Sequence, residues 1–198
     1  LLSAHIDGHD LAQSAMDNAS GLAVALEVTR ALQPLVPSLP RGLRVGFFTL
    51  EEWGLIGSRT YADGLPEAER ERVAINVNLD SVVGSPWLTA LTSGFAELDP
   101  FLHAAAAGCG LAIRTFRPLM ASSDHYNFAR RGIPALRLVA GFDEPESRLR
   151  YLLTPGDTLD KISPSELKLA ALLTAEIVLR ACTADGPIAP HKRDEDRS

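Results

Sequence analysis

The 198-residue sequence is poor in sulfur, with two cysteines and two methionines. Cys109 and Cys182 are too few for a disulfide framework and lack metal-type spacing, so both are expected to be buried thiols. They leave the compartment open. No apolar run reaches the roughly 18 residues that a membrane helix needs. Positive charge is scarce too: 19 Lys and Arg stand against 25 Asp and Glu, a net charge of −6, which argues against a general nucleic-acid surface. Internal repeats and domain linkers are absent. An initiating methionine is also missing, and Leu1 reads as part of a strand, so an N-terminal portion carrying any targeting segment is expected to precede it. What remains is 46% hydrophobic, as in one globular domain with a single core. Residues 1–183 read as that domain, and 184–198 as a charged tail expected to be disordered.

The most informative stretch is Leu43–Ser58. It begins as an apolar, β-branched and aromatic run bounded by Pro40 and Gly42, the pattern of a buried strand in an α/β sheet. It ends in Glu51-Glu52, at the carboxyl end of a strand, where open α/β sheets place their ligand crevice. Two like charges side by side need a cation or a shared proton nearby. A solvated glutamate pair is the bland alternative, and the rest of the chain decides between them.

Leu1–Asp7 is a strand ending in His5-x-Asp7, whose alternation puts both side chains on one side. A carboxylate there can orient an imidazole that binds metal. Asp17-Asn18-Ala19-Ser20-Gly21 opens a helix running to about Leu35; Asn18 and Ser20 suit an N-cap, while Asp17 could bridge two cations. Val73–Asp80 is a third strand ending in a carboxylate. Further strands are expected at Trp87–Leu91, Leu111–Phe116 and Ile133–Val139, the last limited in its pairing by Pro134. Helices are expected over Leu55–Leu65, Ala96–Gly108, Ser122–Gly132 and Pro164–Cys182, with Ser163 or Ser165 capping the last. Sheet topology would gather His5, Asp7, Asp17, Glu51, Glu52 and Asp80 along one edge, a ligand set suited to zinc, cobalt or manganese.

These motifs, His5-Ile6-Asp7, Asp17-Asn18-Ala19-Ser20-Gly21, Glu51-Glu52-x-Gly54-Leu55-x-Gly57-Ser58 and Asn78-Leu79-Asp80, resemble in order those of the M28 family of zinc aminopeptidases. Ser123-Asp124-His125, Gly132-Ile133-Pro134 and Asp157-Thr158-x-Asp160-Lys161 extend the resemblance to about residue 180. It implies a three-layer α/β fold with a mixed, mostly parallel sheet flanked by helices, of the phosphorylase/hydrolase-like, zinc exopeptidase type. It also implies a metal-dependent aminopeptidase acting on peptides with a free N-terminus, secreted or extracytoplasmic. By the same resemblance His5 and Asp80 bind a first zinc, Glu52 a second, and Asp17 bridges them; Asp7 orients His5, and Glu51 is the general base.

One position departs from the pattern. The histidine that completes the second metal site in the family is here Leu153, and Tyr151–Lys161 contains no histidine. The first zinc site is therefore expected to be well formed and the second weak or absent, unless His9 or His125 substitutes. A catalytically impaired domain that binds peptides or a single metal is the alternative function. A glutaminyl cyclase, which shares the fold, would use the site that Leu153 damages and is disfavoured.

Overall fold

The computed structural model describes residues 1–191. All six runs expected as strands form strands: β1 (Leu2–His5), β2 (Val45–Phe48), β3 (Asn76–Leu79), β4 (Leu88–Leu91), β5 (Arg114–Phe116) and β6 (Ala135–Ala140). They join one sheet in the order β2-β1-β3-β6-β4-β5. The four strands from β2 to β6 run parallel, while β4 is antiparallel to β6 and carries β5 parallel to itself. Among the described residues six α-helices accompany the sheet: α1 (Gly21–Leu32), α2 (Ile56–Gly64), α3 (Glu67–Arg70), α4 (Leu98–Gly108), α5 (His125–Ala129) and α6 (Pro164–Thr183). α6 packs on both α1 and α4, and α2 packs on α5. The result is the expected three-layer, mostly parallel α/β architecture. Its core joins Leu2, Ala4, Val77 and Leu79 of the sheet to Val24 and Val28 of α1 and Leu173 and Ile177 of α6. Among the described residues no helix is long and apolar enough to cross a membrane.

Four local expectations differ from the structure. β2, read as a buried strand, is the edge of the sheet and pairs only with β1; Phe47 is 38% exposed. An apolar run reports the possibility of burial, but the number of neighbouring strands decides it. Pro134 does not limit β6, because the strand begins after it and pairs on both sides, with the Pro134 carbonyl accepting from Asn76 N–H. The helix expected from Asp17 begins only at Gly21; Asp17 and Asn18 have non-helical backbone in an irregular turn over Ala15–Ser20. Ser163 does occupy the N-cap position of α6, its carbonyl accepting from Leu167 N–H, but its side chain makes no capping bond and its hydroxyl meets that of Ser165 at 2.8 Å.

Residues 184–191, grouped with the tail on composition, are coil that folds back on the body. Ala189 is buried, the Arg41 guanidinium donates to the carbonyls of Ala181, Ala184 and Gly186, and the His191 ring meets the Val73 carbonyl. The remainder of the expected disordered tail, 192–198, lies outside the described residues.

The turn after β2 depends on one glycine. Gly57 N–H donates to the Thr49 carbonyl at 3.1 Å and closes the loop that carries both glutamates. A Cβ at Gly57 would lie 2.3 Å from that carbonyl oxygen and 2.9 Å from Thr49 N, both backbone atoms that cannot swing aside. Gly57→Ala is therefore expected to destabilise the fold by about 2 kcal/mol or more, read as a lowered midpoint in chemical denaturation. An unchanged midpoint would show that the turn can relax.

Candidate metal centre

Parallel pairing sets up the centre. His5 closes β1 in register with Phe48, the last residue of β2, and Asp80 follows β3 directly on the other side of β1. Three residues beyond β2, the Glu51 carbonyl accepts from the N–H groups of Gly54 and Leu55, while the Leu50 carbonyl accepts from Ile56. Leu50 and Leu55 take positive φ of 57° and 58°. This tight turn folds Glu51 back into the protein, where it is buried, and leaves Trp53 in solvent. Glu52 is half-buried, and its N–H donates to Asp7 Oδ2 at 3.2 Å.

Asp17 arrives from the irregular turn, which is held from two sides. The buried carboxylate of Asp157 accepts from Met16 N–H at 2.7 Å and Asp17 N–H at 3.0 Å. Asn18 donates to the Leu79 carbonyl and accepts from Gly21 and Ser81 N–H. Its side chain thus does work like a cap at the helix start while fastening that start to β3. Ser20, the other capping candidate, turns its hydroxyl back to the Met16 carbonyl.

The arrangement brings His5, Asp17, Glu51 and Asp80 together. His5 Nε2 lies 3.0 Å from Asp17 Oδ1 and 3.7 Å from Asp80 Oδ1. One ligand atom each from His5, Glu51 and Asp80 lie within 4.8 Å of one another. Glu51, expected as the base beside the metal ligands, therefore stands within ligand range itself. Asp7 meets His5 differently from expectation: its main-chain carbonyl approaches Nδ1 at 3.1 Å, whereas its carboxylate is 3.6 Å away and serves Glu52 N–H. A carbonyl acceptor on Nδ1 means that, in the neutral ring a metal would bind, the lone pair is on Nε2, which faces the carboxylates.

Two observations test whether these residues fit a cation. His5 Nε2 and Asp17 Oδ1, in contact at 3.0 Å but out of hydrogen-bond geometry, and Glu52 Oε1 are buried without a hydrogen bond among the described residues, an expensive condition for polar atoms unless a ligand completes them. The electrostatics agree. Burial and then the Asp80 charge push Glu51 up to about 8, and burial with Asp17 pushes Glu52 up to about 7. Asp17 is raised by burial and by Asp80. Burial opposes a charge on His5, but Asp17, Asp80 and Glu51 outweigh it and hold the imidazole up at about 12. Asp80 is held ionised by Arg137 and His5, but Asp17, Glu51 and Glu52 resist ionising beside an imidazole that resists neutrality, which marks a site short of positive charge. Imidazole and carboxylate donors suit a borderline or hard divalent ion.

The second site is less complete. Leu153 is 49% exposed and offers no donor atom. The His9 ring accepts from Leu11 N–H through Nδ1 at 3.3 Å. His125 is fully buried, and among the described residues neither ring nitrogen makes a hydrogen bond of full geometry. Burial and the nearby Arg137 hold it down to about 3, and the carboxylate acting on it is Asp80, on the far side of the centre from Glu52. Neither histidine belongs to the potential metal-binding group found among the described residues.

Several contributors carried no assigned role in the sequence. Asn76 and Asn78, alternate residues of β3, join Ser3 and Ser123 in a buried hydrogen-bonded chain, each link 2.8 Å long, that passes from Asn76 to Ser3 to Asn78 to Ser123 and ends beside Asp80. The period-two asparagines in an otherwise apolar strand were its visible signal. Asp157 lies within a recognised motif, but nothing local indicates that it holds the Asp17 turn. Arg137 was visible as one cation in an apolar strand; in the fold its Nη2 pairs with Asp80 Oδ1 at 3.2 Å. Asp124 is buried, and burial raises it to about 6 although the Ser58 hydroxyl beside it acts to lower it.

Residues 1–178 match the profile of Peptidase family M28. The chain is 34% identical over 187 residues to aminopeptidase YwaD of Bacillus subtilis, covering 91% of this chain and 40% of that protein. It is 31% identical over 149 residues to leupeptin-inactivating enzyme 1 of Streptomyces exfoliatus, covering 72% and 33%. The solved structure of BSAP, a zinc aminopeptidase from Bacillus subtilis, superposes with a TM-score of 0.80 at 30% identity, over 96% of this chain and 48% of that one. The chain thus spans less than half the length of these relatives. With the profile matched from the first strand into the last helix, the chain belongs to peptidase family M28.

Proposed function

We propose that the chain is the metal-binding part of an aminopeptidase that removes the N-terminal residue from peptides. The observation that carries this reading is the convergence of His5, Asp17, Glu51 and Asp80 at the carboxyl ends of parallel strands, with ligand-type atoms left unbonded there. His5, Asp17 and Asp80 would hold the first zinc, with cobalt or manganese as substitutes, and Asp17 and Glu52 are what the chain offers a second. When bound, the metal would polarise the scissile carbonyl and make a water acidic. Glu51 would take the proton of that water and return it to the leaving amine. Burial suits it to this exchange, since loss of hydration beside the Asp80 charge favours the protonated form between the two transfers. Asp7 would hold the His5 ring through its main-chain carbonyl and the Glu52 backbone through its carboxylate. Asp157 would fix Asp17 by holding two successive N–H groups.

Leu153 favours a second reading: a domain that binds one metal and peptides with little turnover. Glu51 separates the two, because binding alone requires no base. In a zinc-loaded preparation assayed on aminoacyl-nitroanilides, Glu51→Gln should lower kcat by at least about 10²-fold while zinc content stays the same. Loss of zinc together with activity would make Glu51 a ligand instead, and unchanged turnover would remove it from the chemistry.

Leu153→His tests the second site. An imidazole there should raise zinc content from one equivalent toward two and increase peptidase activity, because Glu52 Oε1 already lacks a hydrogen-bond partner among the described residues. Two zinc equivalents in the unmodified protein, read by elemental analysis after dialysis, would show that another group already serves.

A further inference from the structure

One buried charge has no part in the chemistry above. Arg137 lies on β6, paired in register with Asn78 of β3 and Leu91 of β4, and its side chain is only 12% exposed. Three contacts fix the guanidinium: Nη2 with Asp80 Oδ1 at 3.2 Å, Nη1 donating to the Ser122 carbonyl at 2.6 Å, and Nε to the Asp80 carbonyl at 3.5 Å. Asp80 Oδ1 also accepts the Ser81 hydroxyl at 2.9 Å and stands 3.7 Å from His5 Nε2. One carboxylate oxygen therefore faces the guanidinium, a hydroxyl and the metal-side nitrogen of His5. The charge of Arg137 also reaches Asp17 and His125. Holding a cation on a metal ligand is a costly arrangement for a metal site, because guanidinium and metal ion compete for the same negative charge.

Resting on the metal-site reading above, we propose that Arg137 is a fixed second cation of the centre, a positioning residue that shares Asp80 with a single divalent ion. The guanidinium holds Asp80 in place and withdraws part of its charge. The ion at His5, Asp17 and Asp80 is then bound less tightly and left more electron-poor. A group behind a ligand tunes a metal in this manner. The lack of a donor at Leu153 and the presence of a guanidinium at Arg137 point the same way, to one metal ion accompanied by one built-in positive charge.

The test is zinc binding to the metal-free protein, measured by competition with a zinc-sensitive chelator, for the unmodified chain, Arg137→Met and Arg137→Lys. The unmodified protein should take one equivalent. Arg137→Met should bind it at least about tenfold more tightly, the effect of removing a unit charge several ångströms from a divalent ion in a medium of effective dielectric near 20. Ser81 still holds Asp80 in that variant. Arg137→Lys keeps the charge and should stay within about threefold of the unmodified protein. Arg137→Gln supplies a second neutral side chain if the methionine variant does not fold. Equal shifts in the neutral and lysine variants, or no shift in any of them, would overturn the proposal and leave the guanidinium a packing role. Two equivalents in the unmodified protein would overturn it as well. Failure of every protein to bind zinc would remove the peptidase reading and this inference together, whereas binding without a difference between neutral and charged side chains removes only the inference.

Discussion

The structure depends on placing several carboxylates around one buried imidazole at the carboxyl ends of parallel strands. Asp17, Glu51 and Asp80 close on His5 where water is largely excluded. Like charges in such a place repel one another, and burial penalises each separately. The surrounding structure therefore has to hold them against that repulsion. It does so with hydrogen bonds from elements distant in sequence: Asp157 on the Asp17 turn, Asn18 between that turn and β3, and the buried Asn and Ser chain that ends at Asp80. Connected hydrogen bonds of this kind rigidify the groups they join.

The sheet explains why these elements meet. A parallel sheet sends each strand to the same end, so successive strand–helix units bring a functional residue to that end each time. β1 lies between β2 and β3, which sets His5 between the Glu51 turn and Asp80. Strand order also explains the exposed side of the centre. β2 is an edge, and Phe47, Leu50 and Trp53 are exposed on it or just beyond it.

The strands and most of the helices follow from local pattern, because apolar periodicity and a carboxylate at a strand end are properties of a few adjacent residues. The expected start of the first helix failed for a related reason. Asp17-Asn18-Ala19-Ser20 has good N-cap chemistry, but Asp157 and Leu79 claim its polar groups from across the fold. Local propensity gave way to tertiary hydrogen bonds. Asp7 shows the same limit on a smaller scale: its proximity to His5 is local, but its carboxylate is taken by the Glu52 backbone, and its carbonyl meets the ring instead.

The sequence by itself determined the α/β class, the order of the motifs and the absence of an imidazole at Leu153, since each is written in residue identity and short-range spacing. Tertiary structure alone decided that β2 is an edge, that Asp157 supports Asp17 across 140 positions of chain, and that Arg137 faces Asp80. These are matters of which strand neighbours which and which side chain reaches which charge. No local pattern encodes them, because the free energy of a buried charge depends on partners that only the folded chain brings within a few ångströms.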